Sequence, residues 1–330
     1  MRRRVTRNGI DLTEVGLGAA QLGNLYREID DDEAVGVVEA AWDAGVRYFD
    51  TAPHYGLGLS ESRLGSALRA HPREEYVLSS KAGRLLEPNG DPHPGMDDEG
   101  FAVPARYRRV FDFSRDGILR SVEASLARTG LDRLDIVYLH DPDDHWGAAS
   151  TTGIGALIEL REQGVIRAVG AGMNQAAMPA ALIREADVDL IMLAGRYTLL
   201  DQSGLDDLLP LALERGVGIL AAGVYNSGLL GRDRPPTDAH YDYAAAPAEL
   251  VSRARAIADV CETFGVTLPE AAVGFALQHP AVVTAVLGAR SPAQVRENVR
   301  RASVRIPVEL WGTLADRGLI VPPILTSGAS

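Results

Sequence analysis

Lysine is all but missing from this 330-residue chain: of 33 basic residues a single one, Lys81, is a lysine and the rest are arginine. Cysteine is as scarce. Cys261 stands alone, which excludes an intrachain disulfide and fits a reducing compartment. It lies in the helix-like run Ala256-Ile257-Ala258-Asp259-Val260-Cys261 and reads as a small packed residue. Positive charge is in deficit. A formal charge of −12 leaves no basic footprint for nucleic acid. No apolar run approaches the ~18 residues of a membrane span, and Met1-Arg2-Arg3-Arg4 is not followed by an apolar stretch of signal-peptide length. A cytoplasmic location and no membrane partner are therefore expected. No P-loop and no Tyr-x-x-x-Lys pair is found, and Gly16-Leu17-Gly18-Ala19-Ala20-Gln21 lacks the third glycine of a dinucleotide-binding turn.

The chain does contain one recurrent theme. At 46% hydrophobic and 24% charged residues it can bury a sizeable core. It opens on a hairpin pattern, Arg4–Arg7 and Ile10–Leu12 around Asn8-Gly9, for which a two-residue type I′ turn is expected. Eight short apolar runs follow, ending near Gly18, Asp50, Lys81, His140, Ala171, Leu193, Ala221 and Leu287. Between them lie amphipathic stretches, such as 31–44, 114–129 and 205–215. Eight strand–helix units in one chain of this length predict a (β/α)8 TIM barrel over residues 1–330 as a single domain. A doubly wound sheet is the runner-up. Three connections are long, after Lys81, after His140 and after Ala222, and all follow strands, so in a barrel they gather at one mouth.

Barrel active sites form where strands end. Asp50, Lys81 and His140 close the second, third and fourth runs, and Tyr55 follows Asp50 by five positions. Each alone has an ordinary structural reading: a cap, a surface charge, a satisfied histidine, a loop aromatic. Together they place a carboxylate, an amine, an imidazole and a phenol at one mouth. A phenol titrates near 10, and an adjacent ammonium is expected to lower that value and make Tyr55 a general acid or base. Arginine does not release its proton near neutrality, whereas lysine is readily tuned, so the surviving lysine is suspect before any comparison. No metal site is expected.

The segment Tyr48-Phe49-Asp50-Thr51-Ala52-Pro53-His54-Tyr55-Gly56, followed by Ser60-Glu61-Ser62-Arg63-Leu64-Gly65, resembles the signature of the aldo-keto reductases. Lys81 and His140 match the remaining members of that family's Asp-Tyr-Lys-His tetrad, and the run from Gly288 to Asn298 is similar to its segment for the adenosine end of a dinucleotide. The resemblance covers the whole chain. It implies NAD or NADP bound without a Rossmann fold. Cofactor contacts are implied for Met173, Asn174, Tyr225, Asn226, Ser227, Leu229, Gly288, Ala289, Arg290, Gln294 and Asn298. Ala194 and Ala222 stand where many members carry a glutamine and a stacking aromatic. Gln294 stands where some NADP-using members carry a second arginine, and NAD is favoured.

Within the family, Arg196–Gln202 and Tyr225–Leu230 are most similar to the sugar 1-dehydrogenase branch, which includes L-fucose and D-threo-aldose 1-dehydrogenases, and to pyridoxal 4-dehydrogenases. This implies a small-molecule sugar or carbonyl substrate touching His54, Tyr55 and His140, and oxidation of a cyclic hemiacetal to its lactone. Trp146 either stacks on the substrate ring or covers the barrel core. A broad NADPH-dependent carbonyl reductase and a pyridoxal 4-dehydrogenase are the alternatives.

Overall fold

The computed structural model describes residues 1–236, 240–241 and 244–322. Two antiparallel strands, β1 (Arg3–Val5) and β2 (Asp11–Thr13), come first. They are followed by β3 (Val15–Gly18), β4 (Tyr48–Asp50) and β5 (Val77–Ala82). An inserted antiparallel hairpin, β6 (Arg84–Pro88) and β7 (Tyr107–Phe111), precedes β8 (Ile136–His140), β9 (Ala168–Met173), β10 (Leu190–Ala194) and β11 (Gly218–Ala222). The two-residue strands β12 (His240–Tyr241) and β13 (Ala244–Ala245) lead to β14 (Val282–Gly288). Eight of these strands pair in parallel into a closed barrel, in the order β10-β11-β14-β3-β4-β5-β8-β9. The predicted barrel is therefore present, with each of the eight expected runs as one stave, and the doubly wound alternative is excluded.

Two apolar layers hold it. Strand residues alternate, so one set faces inward and the next outward. The outward set (Phe49, Leu78, Val137, Leu139, Ile191 and Leu193 among them) meets the helices. The helix Asp31–Asp43 shows how they are fixed: Asp30 accepts from the Glu33 N–H at 2.7 Å while the Glu33 carboxylate takes the Asp30 N–H, a capping box. Its Ala34, Val37, Val38 and Ala41 then lie against the sheet. The inward set is smaller and includes Tyr48, Val77, Ile136, Tyr138, Leu190, Met192 and Leu220.

The same inner cluster contains Ile10 and Leu12, both fully buried, so the N-terminal hairpin plugs the end of the barrel where strands begin. Its turn differs from expectation. The Gly9 N–H donates to the Thr6 carbonyl at 3.0 Å, which makes Arg7 and Asn8 the central pair, and Gly9 alone has a positive φ (78°). The Thr6 hydroxyl explains the longer loop, since its Oγ1 accepts the Ile10 N–H at 3.0 Å and lies 2.5 Å from Asn8 Oδ1.

Candidate active site

Strands β4, β5 and β8 are neighbours, and Asp50, Lys81 and His140, at or next to their ends, meet at the opposite, open end. Lys81 Nζ donates to Asp50 Oδ2 at 2.7 Å, to the Thr51 carbonyl at 3.1 Å and to the Tyr55 hydroxyl at 3.0 Å. All three hydrogens of the ammonium are thereby directed. Asp50 is held from its other side by Ser79 Oγ at 2.6 Å, which in turn lies 2.8 Å from the Tyr48 hydroxyl. Tyr55 is carried by a tight turn rather than by a strand. Its loop is tied down by Thr51 Oγ1 on Ser60 Oγ (2.8 Å) and Ser60 Oγ on the Ala19 carbonyl (2.7 Å). Gly56 (φ 63°) crosses the backbone of Gly23 so closely that a Cβ would lie 2.3 Å from the Gly23 carbonyl oxygen. The His140 ring stands edge-on to Tyr55, 5.9 Å between centroids.

Burial sets the charges. Asp50, Lys81 and His140 are each under 5% exposed. Desolvation works against the Lys81 ammonium, but the Asp50 carboxylate and the Tyr55 oxygen outweigh it, so its pKa is raised and it stays charged. His140 is pushed well below the usual histidine range by burial and by the cations Arg84 and Lys81, so it is neutral. Tyr55 corrects the sequence reading. Lys81 does pull its pKa down, but burial is the larger influence and the phenol titrates above its ordinary value. At neutral pH the resting site thus holds a protonated phenol beside a permanent cation.

The residues implied for a dinucleotide lie along the ends of β9, β11 and β14, where they divide into two sets. Asn174 is exposed at the tip of β9. The preceding Met173 is buried in the outer layer, because strand alternation turns Gly172 towards Lys81 and Met173 away. Leu229 and Ala289 are likewise buried among outer-layer residues, so these three offer only backbone to a ligand. Asn226 and Ser227 have φ of 43° and 55°, a conformation uncommon for such residues that concentrates at ligand sites. Asn226 Oδ1 and Arg290 Nε are buried and lack a hydrogen-bond partner among the described residues. Gly288 is exposed at the end of β14, one turn ahead of the helix Pro292–Ser303, which Ser291 caps. Asn298 ties this region together, accepting from the Tyr225 hydroxyl at 2.9 Å and donating to the Gly288 carbonyl at 3.1 Å. Orphaned polar atoms and open backbone at a helix start fit a dinucleotide phosphate and ribose. Trp146 is half-buried against the outer layer, with one face committed to the core.

A model of the aldo/keto reductase family matches residues 14–316. The chain belongs to that family. It is 48% identical to a D-threo-aldose 1-dehydrogenase from a Pseudomonas species, over 96% of this chain and 97% of that protein. It is 41% identical to a pyridoxal 4-dehydrogenase from Microbacterium luteolum, over 97% and 98% of the two chains. Among solved structures, an aldo-keto reductase from Bacillus halodurans in its holo form superposes with a TM-score of 0.76 at 25% identity, covering both chains completely. This aldo/keto reductase is therefore an NAD(P)-dependent oxidoreductase. No helix among the described residues is long and apolar enough to cross a membrane.

Several residues at the mouth of this aldo/keto reductase escaped the sequence reading. The connection after Lys81 is no irregular loop: β6 and β7 stand over the mouth and deliver Arg84 and Arg109. Arg84 pairs with Asp141 at 2.7 Å, next to His140, and Asp141 is held at a φ of 37°. Phe101 packs on both His54 and Tyr55, with centroids 5.1 and 6.1 Å away. Phe111 stacks on His145 at 4.6 Å. Tyr107, Val110 and Phe111 are strand-favouring residue types, but Arg108 and Arg109 break the apolar alternation that marks a strand.

Proposed function

We propose that this protein, as one barrel spanning the chain, oxidises the anomeric carbon of a cyclic aldose hemiacetal, giving the lactone. The observation that carries the reading is the near-full-length likeness to a D-threo-aldose 1-dehydrogenase, combined with an Asp50-Tyr55-Lys81-His140 constellation in contact geometry. Bound NAD or NADP supplies the hydride acceptor. Tyr55, once deprotonated, takes the proton of the anomeric hydroxyl, and the Lys81 ammonium at 3.0 Å stabilises the phenolate until then. Asp50 and the Thr51 carbonyl keep Lys81 aimed. Neutral His140, edge-on to Tyr55, orients the same substrate oxygen. Because burial holds Tyr55 protonated at rest, oxidation gains rate as pH rises above neutrality, and reduction does not.

NAD is the coenzyme favoured here. Gln294 stands where some NADP-using members carry a second arginine; its Oε1 accepts the Arg290 backbone N–H at 2.8 Å and it offers no charge to a 2′-phosphate, while Arg290 Nη2 is already engaged by the Leu25 carbonyl at 3.1 Å. The test is turnover of L-fucose, D-arabinose, L-galactose and pyridoxal with NAD and with NADP, alongside reduction of simple aldehydes by NADPH. Lactone formation with NAD is expected. No turnover of any sugar, with rapid NADPH-dependent reduction of simple aldehydes, would overturn the reading in favour of a general carbonyl reductase. Oxidation confined to pyridoxal would replace the substrate class.

A further inference from the structure

His54 sits between the tetrad and the inserted hairpin. Its ring centroid is 5.8 Å from Tyr55 and 5.5 Å from His140, and its Nδ1 accepts from Arg109 Nε at 2.6 Å. Arg109 also donates to the His54 carbonyl at 3.1 Å, so one guanidinium holds both the ring and its own backbone. Asp97 grips the far edge of the same guanidinium at 2.6 and 3.1 Å, and both charged side chains are almost sealed from solvent, at 6% and 3% exposure. Nε2 makes no hydrogen bond among the described residues, and the side chain keeps 15% exposure.

A histidine tautomer is normally an open question, because imidazole nitrogen both donates and accepts. Here it is closed by chemistry. Arginine has no acceptor and does not deprotonate near neutrality, so Nδ1 of His54 is the acceptor and the ring proton resides on Nε2. We propose that Arg109 is a positioning residue: clamped by Asp97, it locks His54 as a neutral imidazole that donates from Nε2 to a second oxygen of the substrate, beside the oxygen handled by Tyr55 and His140. On the aldose reading, on which this part of the inference rests, a hemiacetal carries such oxygens in its ring oxygen and 2-hydroxyl, whereas a simple aldehyde carries none. The arrangement favours a polyoxygenated substrate over a monofunctional one, because a substrate that displaces solvent from Nε2 without offering an acceptor leaves that donor unpaired.

The groups facing His54 agree. Arg109 from β7, Arg84 from β6 and Lys81 from β5 oppose a second proton, while Glu99, 3.7 Å from Nδ1, and the paired Asp97 bring negative charge to the same side. Burial and the three cations hold the imidazole down to about 2.

The decisive measurement needs no substrate. Long-range ¹⁵N–¹H spectra of the intact protein, with the His54 signal identified by its loss in His54→Gln, should show the Nε2–H tautomer unchanged between about pH 5 and 8, the range in which ordinary histidine titrates. An Nδ1–H tautomer, or titration of His54 in that range, overturns the proposal whatever the enzyme turns over. Arg109→Met should release the lock and bring a His54 titration into view. Asp97→Asn, which keeps the guanidinium, should leave the tautomer in place if Arg109→Met fails to fold. Kinetically, His54→Phe should lower kcat/KM for an aldose about tenfold or more beyond its effect on a simple aldehyde, mostly through KM, and His54→Gln should recover part of that difference. Equal losses for both substrates would refute the second-oxygen contact while leaving the assigned aldose reaction standing; no aldose turnover in the unmodified enzyme would remove that reaction while leaving the tautomer to the spectra.

Discussion

At the closed end of the barrel, Asp135 lies ahead of β8 with 1% exposure, accepts the Leu78 N–H at 2.9 Å and is ringed by Arg73, Arg133 and Arg167 at 2.7 to 3.7 Å. Asp189, ahead of β10, repeats the device, taking the Val169 N–H at 2.9 Å and pairing with Arg161 and Arg7. At the open end Asp50 is as deeply buried, but its partner is a lysine shared with a tyrosine. Both ends bury carboxylates against cations. One end uses a cation that never exchanges its proton and anchors backbone with the carboxylate. The other uses a lysine whose hydrogen bonds also reach Tyr55, the proposed acid–base group. The division separates stability from chemistry along the barrel axis, as expected when reactive groups cluster at strand ends.

The sharpest way to break that division is to give the mouth the chemistry of the base. Lys81→Arg keeps the positive charge but should lower turnover about a hundred- to ten-thousandfold, with coenzyme still bound, as read by steady-state kinetics and a fluorescence titration. Retained turnover would mean that charge alone suffices. The converse substitution is Asp135→Asn. Weakening its hydrogen bonds to Arg73 and the Leu78 N–H should destabilise the fold by about 1–3 kcal/mol, seen as a lower urea midpoint, with turnover per folded molecule unchanged.

A smaller, graded effect is read by pH. His54 and His140 are neutral in the fold but take protons in the unfolded chain at about 6.5. Their folded values are depressed, so the unfolded state binds more protons, and stability falls as pH drops below about 6.5. Each histidine contributes a slope of at most about 1.4 kcal/mol per pH unit. Replacing His54 by glutamine should reduce the slope of unfolding free energy between pH 6 and 4 by about one proton's worth.

The sequence made the eight strands, their parallel closure and the convergence of Asp50, Lys81 and His140 legible, because each depends on local apolar periodicity and on adjacency rules for βα units. Tyr55 was legible as a partner but not in its acidity, since desolvation depends on what covers the site, and the cover comes from Phe101 and the hairpin some 30 to 55 residues away. Arg109 was invisible as a site residue for a related reason: nothing within the run 106–111 reveals that it meets Asp97 and His54. Met173 could have been placed outward from the period of the strand alone, given an inward Gly172.

The hairpin that seals the base has a consequence for how the chain is made. Closing the ring joins Val15 to Ala285 and Gly18 to Gly288, pairs separated by almost the whole sequence. The hairpin rests on that same late segment, with Arg4 donating to the Leu277 carbonyl at 2.9 Å and to the Val282 carbonyl. Contacts of such long separation form slowly, because the loop must close before they can contribute. The hairpin therefore leaves the ribosome well before its seat is built, and during synthesis Ile10 and Leu12 wait exposed for a socket that does not yet exist.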